Sequence, residues 1–361
     1  MKNNIHTKEI ITSYNFKHNI YDNNVDNIKD NKYSTKIVKS DFFSLNEINI
    51  CNIINEIPYF YSFYDTIVNY DYVTVGELNE YNIDDFQILD LNDNSKYFSI
   101  EYKDYKYNSF DQFLLTIKTP KQFISHIFSS YTYLLNSLII LNDNDICFFD
   151  LSPENIIFPF NNGINPILTD FQKSIYKNKL TTPYIINLLK IINNYTYKPL
   201  EIHLLFYIFN NNTKALTHTL VEQICKQYVK NMSVLLFFSE KYRMQYFNTC
   251  IDVLSKYINT PIKDIIDIVL KNHITWDNYS LSVIYLHLIS NVSIVFSLKH
   301  NFITKLIIVL LKNISPNPYQ RESLQNTLNI IQSLFNDNTD WTNMNQIPIS
   351  KMELLFKKIF E

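Results

Sequence analysis

Glycine is almost missing from this chain. At ordinary usage, about 7%, a protein of this length would carry roughly 25 glycines. This one has two, Gly76 and Gly163, in 361 residues. That scarcity excludes a glycine-rich phosphate loop of either common form, GxGxxG or GxxxxGK. Arginine is reduced to Arg243 and Arg321 and alanine to Ala215, while Asn, Ile, Tyr, Phe and Lys abound, a skew that follows codons rich in A and T. Paired cysteines are lacking too: Cys51, Cys147, Cys225 and Cys250 stand far apart, with no CxxC and no histidine at ligand spacing. This argues against a zinc site and for reduced, mostly buried thiols. No sign of charge dominates. A net charge of −3 gives no general drive toward nucleic acid or anionic lipid, so neither is expected as a partner. Long apolar runs are also short of what a membrane needs, because stretches such as Ile303–Leu311 meet Lys or Asn before the ~18 residues of a span. The N-terminus, Met1 to Asp30, is polar and carries nothing of signal-peptide type. A soluble, cytoplasmic protein without a membrane span is expected.

What is present is a large apolar fraction, 46%, enough for a sizeable core or two lobes. Short β-branched and aromatic runs separated by Asn/Asp turns predict strands at Tyr33–Val38, Tyr72–Val75, Phe86–Leu89 and Tyr97–Glu101. Between them Leu45–Asn55 is a helix candidate, with apolar residues at Leu45, Ile48, Cys51 and Ile54. From 109 onward the pattern turns helical. Pro120–Leu141 is long and amphipathic, with Thr119 as N-cap and Pro120 at the first position. Two strand-like runs, Asn155–Phe158 and Pro166–Thr169, flank a turn at Asn161–Gly163, and helices fill the chain from about 184. The expected picture is a small strand-rich lobe followed by a larger helical one.

Chemistry concentrates in Phe148-Phe149-Asp150-Leu151-Ser152-Pro153-Glu154-Asn155, followed twenty residues after Asp150 by Asp170-Phe171-Gln172. D-L-x-P-E-N between apolar runs, then strand–turn–strand, then D-F, resembles the eukaryotic-type protein kinase family, whose catalytic loop reads HRDxKPEN and whose metal motif reads DFG. Phosphoryl transfer asks the protein mainly to orient a nucleophile and neutralise developing charge. The resemblance implies that Asp150 is the catalytic base, and that Asn155 and Asp170 hold Mg²⁺ against the phosphates of ATP. Tyr33-Ser34-Thr35-Lys36-Ile37-Val38 resembles the family's lysine-bearing strand, which implies that Lys36 meets the α- and β-phosphates. Glu47, eleven residues before Pro58, is implied as the helix glutamate that pairs with Lys36. Ile100-Glu101-Tyr102-Lys103 resembles the hinge between lobes, which implies adenine contacts at Glu101 and Lys103. Pro199-Leu200-Glu201 is similar to the APE motif, and Trp276-Asp277-Asn278-Tyr279-Ser280-Leu281 to the start of the central helix, whose aspartate braces the catalytic loop. Pro316-Asn317-Pro318-Tyr319-Gln320-Arg321 is similar to the turn whose arginine pairs with the APE glutamate, a place where lysine lacks the planar fork.

The implied fold is α+β: a two-lobed protein kinase-like fold, with a small antiparallel-sheet N-lobe holding one helix, and a large, mainly helical C-lobe. On that reading 1–30 is an unassigned N-terminal segment, 31–103 the N-lobe, 104–341 the C-lobe with a helical insertion at about 203–275, and 342–361 a tail. Departures from the family pattern are specific. Phe148 and Phe149 stand for His and Arg, which removes control by activation-loop phosphorylation through that arginine. Ser152 replaces the lysine that steadies the transferred phosphate. Gln172 replaces a glycine, and the stretch 14–32 expected over the phosphates contains no glycine. The 75 residues between Glu201 and Asp277 exceed the family norm and read as a docking surface, a lid or structural padding. The function implied first is an ATP- and Mg²⁺-dependent kinase acting on a protein hydroxyl, with Ser/Thr favoured over Tyr. The second is a pseudokinase scaffold with a protein partner at the insertion, and the third a small-molecule phosphotransferase. The composition and departures resemble those of kinase-like proteins of large DNA viruses, which places the protein in host cytoplasm or virion.

Overall fold

The computed structural model describes residues 15–16, 33–74, 96–190, 195–297, 302–337 and 347–360. The expected strand Phe86–Leu89, Gly76 and, apart from Asn15–Phe16, the stretch 14–32 lie outside the described residues. The architecture is α+β, with small antiparallel sheets and a larger helical part.

Four strands form the main sheet: β1 (Asn15–Phe16), β2 (Tyr33–Lys39), β3 (Ile67–Thr74) and β4 (Lys96–Lys103), all antiparallel in the order β1-β2-β4-β3. The register sets Lys36 opposite Ile100 on β4 and Asn15 on β1. β3 begins five residues before the expected Tyr72. Between β2 and β3 runs α1 (Phe42–Asn55), which starts three residues before Leu45. Its start is set by Asp41, whose carboxylate accepts from Phe43 N at 2.8 Å and Ser44 N at 3.0 Å, while Ser44 Oγ accepts from Asp41 N at 3.0 Å. This reciprocal cap satisfies donors that the helix leaves unpaired. Ile48, Cys51 and Ile54 are buried as the pattern predicts, but Leu45 is exposed, and the polar Asn46 and Glu47 are buried instead. An apolar stripe read alone misses that exchange.

The helical part opens with β5 (Tyr107–Ser109) and α2 (Phe110–Thr116), capped by Ser109 and Gln112. α3 (Pro120–Asp143) follows, with Thr119 Oγ1 accepting from Gln122 N. β6 (Ile146–Cys147) pairs with β9 (Ile175–Tyr176), and β7 (Ile156–Pro159) lies between β5 and β8 (Ile167–Leu168). Gly163, at φ +64°, turns the chain between β7 and β8. Then come α4 (Thr182–Lys190), α5 (Leu200–Asn210), α6 (His218–Asn231), α7 (Glu240–Ser255), α8 (Ile262–Lys271), α9 (Trp276–Phe296), α10 (Phe302–Asn313), α11 (Leu324–Asp337) and α12 (Ser350–Phe360). α12, in the unassigned tail, packs against α9 and buries Met352 and Leu355.

The stretch 203–275 is built into the helical core. Tyr228 on α6 and Tyr246 on α7 join hydroxyls at 3.1 Å, Tyr228 meets Tyr279 on α9 at 2.6 Å, and Tyr246 donates to Ile314 O at 2.6 Å. All four cysteines are free and buried. Two helical stretches, Pro120–Asp143 and Ile262–Phe296, pass the length and hydropathy test for a membrane crossing that the short apolar runs failed. Within the protein, 56% and 83% of those windows are buried, the pattern of core helices.

Candidate functional site

Asp150 sits on a tight turn. Asp150 N donates to Phe148 O at 2.7 Å across Phe149, whose φ of +64° is left-handed. A bulky residue is costly there, and such strain persists only where the surroundings over-determine it. Here they do. Asp277, at the start of α9, accepts from Phe148 N at 2.8 Å and from Phe149 N at 2.7 Å. The Phe149 ring lies 5.4 Å from that of Trp276, and Phe148 packs edge-on against Phe171 at 5.3 Å. Burial pushes the Asp277 carboxyl up, and its two backbone donors pull part of the way back.

Asn155 is fixed by the same loop. Its Nδ2 donates to Asp150 O at 2.8 Å, and its main-chain O accepts from Thr169 N at 3.1 Å, one residue before Asp170. The β7–β8 pairing thus brings together Asn155 and Asp170, which the sequence separates by fifteen positions. With Nδ2 committed, Oδ1 of Asn155 takes no hydrogen bond among the described residues. Asp170 has φ +65°, and its Oδ1 accepts from Gln172 N at 3.4 Å. A short acidic side chain that bonds its own backbone two residues on is suited to that conformation. Gln172 is not among the residues at positive φ, so the position following Asp170-Phe171 needs no glycine in this arrangement.

Two lysines that the motif pattern does not indicate close on the aspartate. Lys198 Nζ donates to Asp150 Oδ1 at 2.8 Å and to Phe149 O at 2.5 Å, and lies 4.8 Å above the Phe149 ring. Lys173 Nζ donates to Asp150 Oδ2 at 2.6 Å. Burial pushes the Asp150 carboxyl up, but the two ammonium groups more than offset it and hold it below the usual carboxylate range. Ser152, meanwhile, points its hydroxyl at Glu154 Oε2, 2.7 Å away. A buried lysine must find a charge partner, but lysine is too common in this sequence for its position to carry that signal.

Lys36 on β2 and Glu47 on α1 come from the sheet side of the site, and they are not joined. Glu47 Oε1 accepts from Tyr102 Oη at 2.7 Å, whereas its buried Oε2 has no hydrogen-bond partner among the described residues. Burial pushes the Glu47 carboxyl up to about 7, with Lys36 lowering it and Asp170 raising it through space. The side chain of Lys36, half-buried on β2, makes no hydrogen bond or ion pair to the described residues, while its backbone sits in the β2 ladder. Glu101 and Lys103 stand within β4, where Glu101 registers against Thr35 and Asn69 and Lys103 against Tyr33. They lie in a paired strand, not in a free connector. The connector outside the strands is 104–106, just beyond, and in it Lys106 O accepts from Phe160 N at 3.0 Å.

Farther out, Arg321 holds Glu201 with both ends of its fork, Nη1 to Oε1 at 2.6 Å and Nη2 to Oε2 at 2.9 Å. Trp276 Nε1 adds a bond to the same carboxylate, and Ser315 O accepts from Arg321 Nε. Both charges are buried. A cavity of about 530 Å³ opens beside Pro153 and Glu154, walled by Asp111, Tyr197, Val234 and Leu288. Among the described residues no cluster of three or more His, Cys, Asp or Glu side chains could hold a metal ion; the β7–β8 pairing sets Asn155 beside Asp170. No protein-family model matches the chain, and no curated protein matches it.

Proposed function

We propose that this protein is an ATP- and Mg²⁺-dependent kinase of two-lobed, protein kinase-like fold that phosphorylates a protein hydroxyl. One observation carries the reading: a strained turn presents Asp150, Asp277 braces it by two backbone N–H groups, and Asn155 ties its amide to Asp150 O one pairing away from Asp170. These are the relations that phosphoryl transfer uses, a positioned base beside hard oxygen donors. Asp150 accepts the proton of the acceptor hydroxyl. Asn155 Oδ1 and the Asp170 carboxylate fit a hard divalent cation. Mg²⁺ bound there would neutralise charge on the phosphates. Lys36, whose side chain has no partner among the described residues, would meet the phosphates, and Glu47, which interacts with it through space, would orient it. Main-chain groups of Asp104 and Tyr105 in the connector would meet a nucleobase, Lys106 O being taken by Phe160 N. The cavity beside Pro153 and Glu154, on the loop that follows Asp150, would take part of a protein substrate, and the Glu201–Arg321 pair is the one that the resemblance to protein kinases implies, which favours a protein acceptor.

The second reading is a pseudokinase scaffold that engages a partner through 203–275. The separation of Lys36 from Glu47 favours it, because a competent phosphate clamp joins them. Label transfer from γ-labelled ATP with Mg²⁺ to generic protein acceptors separates the two readings. The kinase reading expects transfer that Asp150→Asn abolishes. Equal transfer in both proteins, or transfer in neither, overturns it.

A further inference from the structure

Each oxygen of Asp150 accepts from a lysine ammonium, so an acceptor hydroxyl would share its oxygen with a cation unless one of the two moved away. The structure distinguishes them. Lys198 is 2% exposed, donates a second bond to Phe149 O and lies over the Phe149 ring, so three contacts fix it. Lys173 is 24% exposed, and among the described residues its ammonium makes one hydrogen bond, to Asp150 Oδ2. Its backbone, by contrast, is clamped on both sides: Asn46 Nδ2 donates to Gln172 O at 2.9 Å and to Ser174 O at 2.8 Å, and Tyr184 Oη reaches Asn46 Oδ1 at 2.6 Å. A long, flexible side chain therefore springs from a rigid base three residues after Asp170. The serine at 152 turns to Glu154 and supplies no cation.

We propose that Lys173 is an exchangeable catalytic cation: it rests on Asp150 Oδ2 and moves to the γ-phosphoryl oxygens when nucleotide binds, while Lys198 stays on Oδ1 as the residue that positions Asp150. The inference rests on the phosphotransfer reading above. In the step itself the acceptor oxygen bonds to the γ-phosphorus, its proton passes to the freed Oδ2, and the bond from phosphorus to the β,γ-bridging oxygen breaks, with the electron pair leaving on ADP. Lys173 keeps its protons throughout and neutralises charge on the transferred group. The exchange also places the charge normally expected at 152 on a different part of the chain.

Reductive methylation read by mass spectrometry tests the exchange without turnover, in Asp150→Asn protein, where Lys173 has lost its resting partner. Nucleotide binding is first scored by thermal shift with Mg²⁺ and either ADP or the β,γ-imido analogue of ATP. With the analogue, which has a γ-phosphate, Lys173 should be protected about five-fold more than with ADP, as expected of a charge-assisted contact. Equal protection by both nucleotides, or by neither although both bind, overturns the role of Lys173 and leaves the kinase reading standing. If neither nucleotide shifts the melting temperature of the wild-type protein, the kinase reading falls, and Lys173 with it. Should Asp150→Asn fail to fold, turnover decides: Lys173→Met should lower kcat about 100-fold with KM for ATP unchanged, and Lys173→Arg should restore part of kcat. An unchanged kcat in Lys173→Met overturns the proposal.

Discussion

Asp277 and Glu47 are both buried carboxylates contributed by helices, one on the helical side of the site and one on the sheet side, and their surroundings differ. Each oxygen of Asp277 takes a backbone N–H. Glu47 has one phenol on one oxygen and, among the described residues, no hydrogen-bond partner on the other. The same contrast extends outward. Glu201 and Arg321 close a bidentate pair across 120 positions, whereas Lys36 and Glu47, eleven apart in sequence, remain unjoined. The helical side holds its groups by contacts that leave little freedom. The sheet side keeps a lysine and a carboxylate whose arrangement is open to change. On the proposed kinase reading the difference has a use: a base has to be held in place before substrate arrives, while a phosphate clamp can be completed on binding.

Cutting the tightest contact on the helical side tests the contrast most severely. Arg321→Met would leave Glu201 buried without its cation, at a cost of about 3–5 kcal/mol, read as a lowered denaturant midpoint at constant m-value. The double variant Glu201→Gln/Arg321→Met should recover much of that loss, because the cost lies in the unpaired charge. A single variant of near wild-type stability would show that the helical side is no more tightly determined than the sheet side.

The sheet side should respond to pH instead. Burial places the Glu47 carboxyl at about 7 from an ordinary value of 4.5. Between those two values the folded protein binds more protons than the unfolded chain, so its stability falls as pH rises through that window. The full difference is about 3 kcal/mol. Glu47→Gln, which cannot ionise, should therefore be more stable than wild type at pH 8 and indistinguishable from it at pH 4. Parallel stability–pH curves for the two proteins would mean that Glu47 is already paired and that the contrast with Asp277 is false.

Legibility in the sequence follows the same division. Arg321 was readable because arginine is scarce here and a planar fork suits a buried carboxylate, and Asp277 was readable from the residues around it. Strands β2 and β4 and helix α3 carried their own periodicity and cap. Lys173 and Lys198 were hidden because lysine is abundant and both reach Asp150 from distant positions, 23 and 48 residues away. The burial of Asn46 and Glu47 in place of Leu45 could not be read because tertiary hydrogen bonds, from Asn46 to Gln172 and Ser174, decided which face of α1 turned inward. Strands β6 and β9, two residues each, are too short for an alternation to register. Glu101 and Lys103 fell inside β4 because the strand runs on to Lys103, and no local break marks where a strand gives way to a connector.

The smallest expected effect lies where the two sides meet. Asn46 of α1 holds the carbonyls of Gln172 and Ser174, and Tyr184 of α4 presents its single hydroxyl proton to both Asn46 Oδ1 and Ser174 O, 2.6 Å and 2.9 Å away. Tyr184→Phe removes that proton and leaves Asn46 Oδ1 without its donor in a buried setting, while Ser174 O keeps the Asn46 amide. The cost should be about 1–2 kcal/mol, below that of Arg321→Met because no charge is stranded. Its location is more informative than its size. If the clamp joins a rigid side to an adjustable one, hydrogen exchange should quicken at 172–176 and along the first turns of α1, and should stay unchanged at Phe148 and Phe149, whose N–H groups remain on Asp277. Faster exchange at Phe148 and Phe149 as well would mean that the loop bearing Asp150 depends on α1, and that its rigidity does not come from the helical side alone.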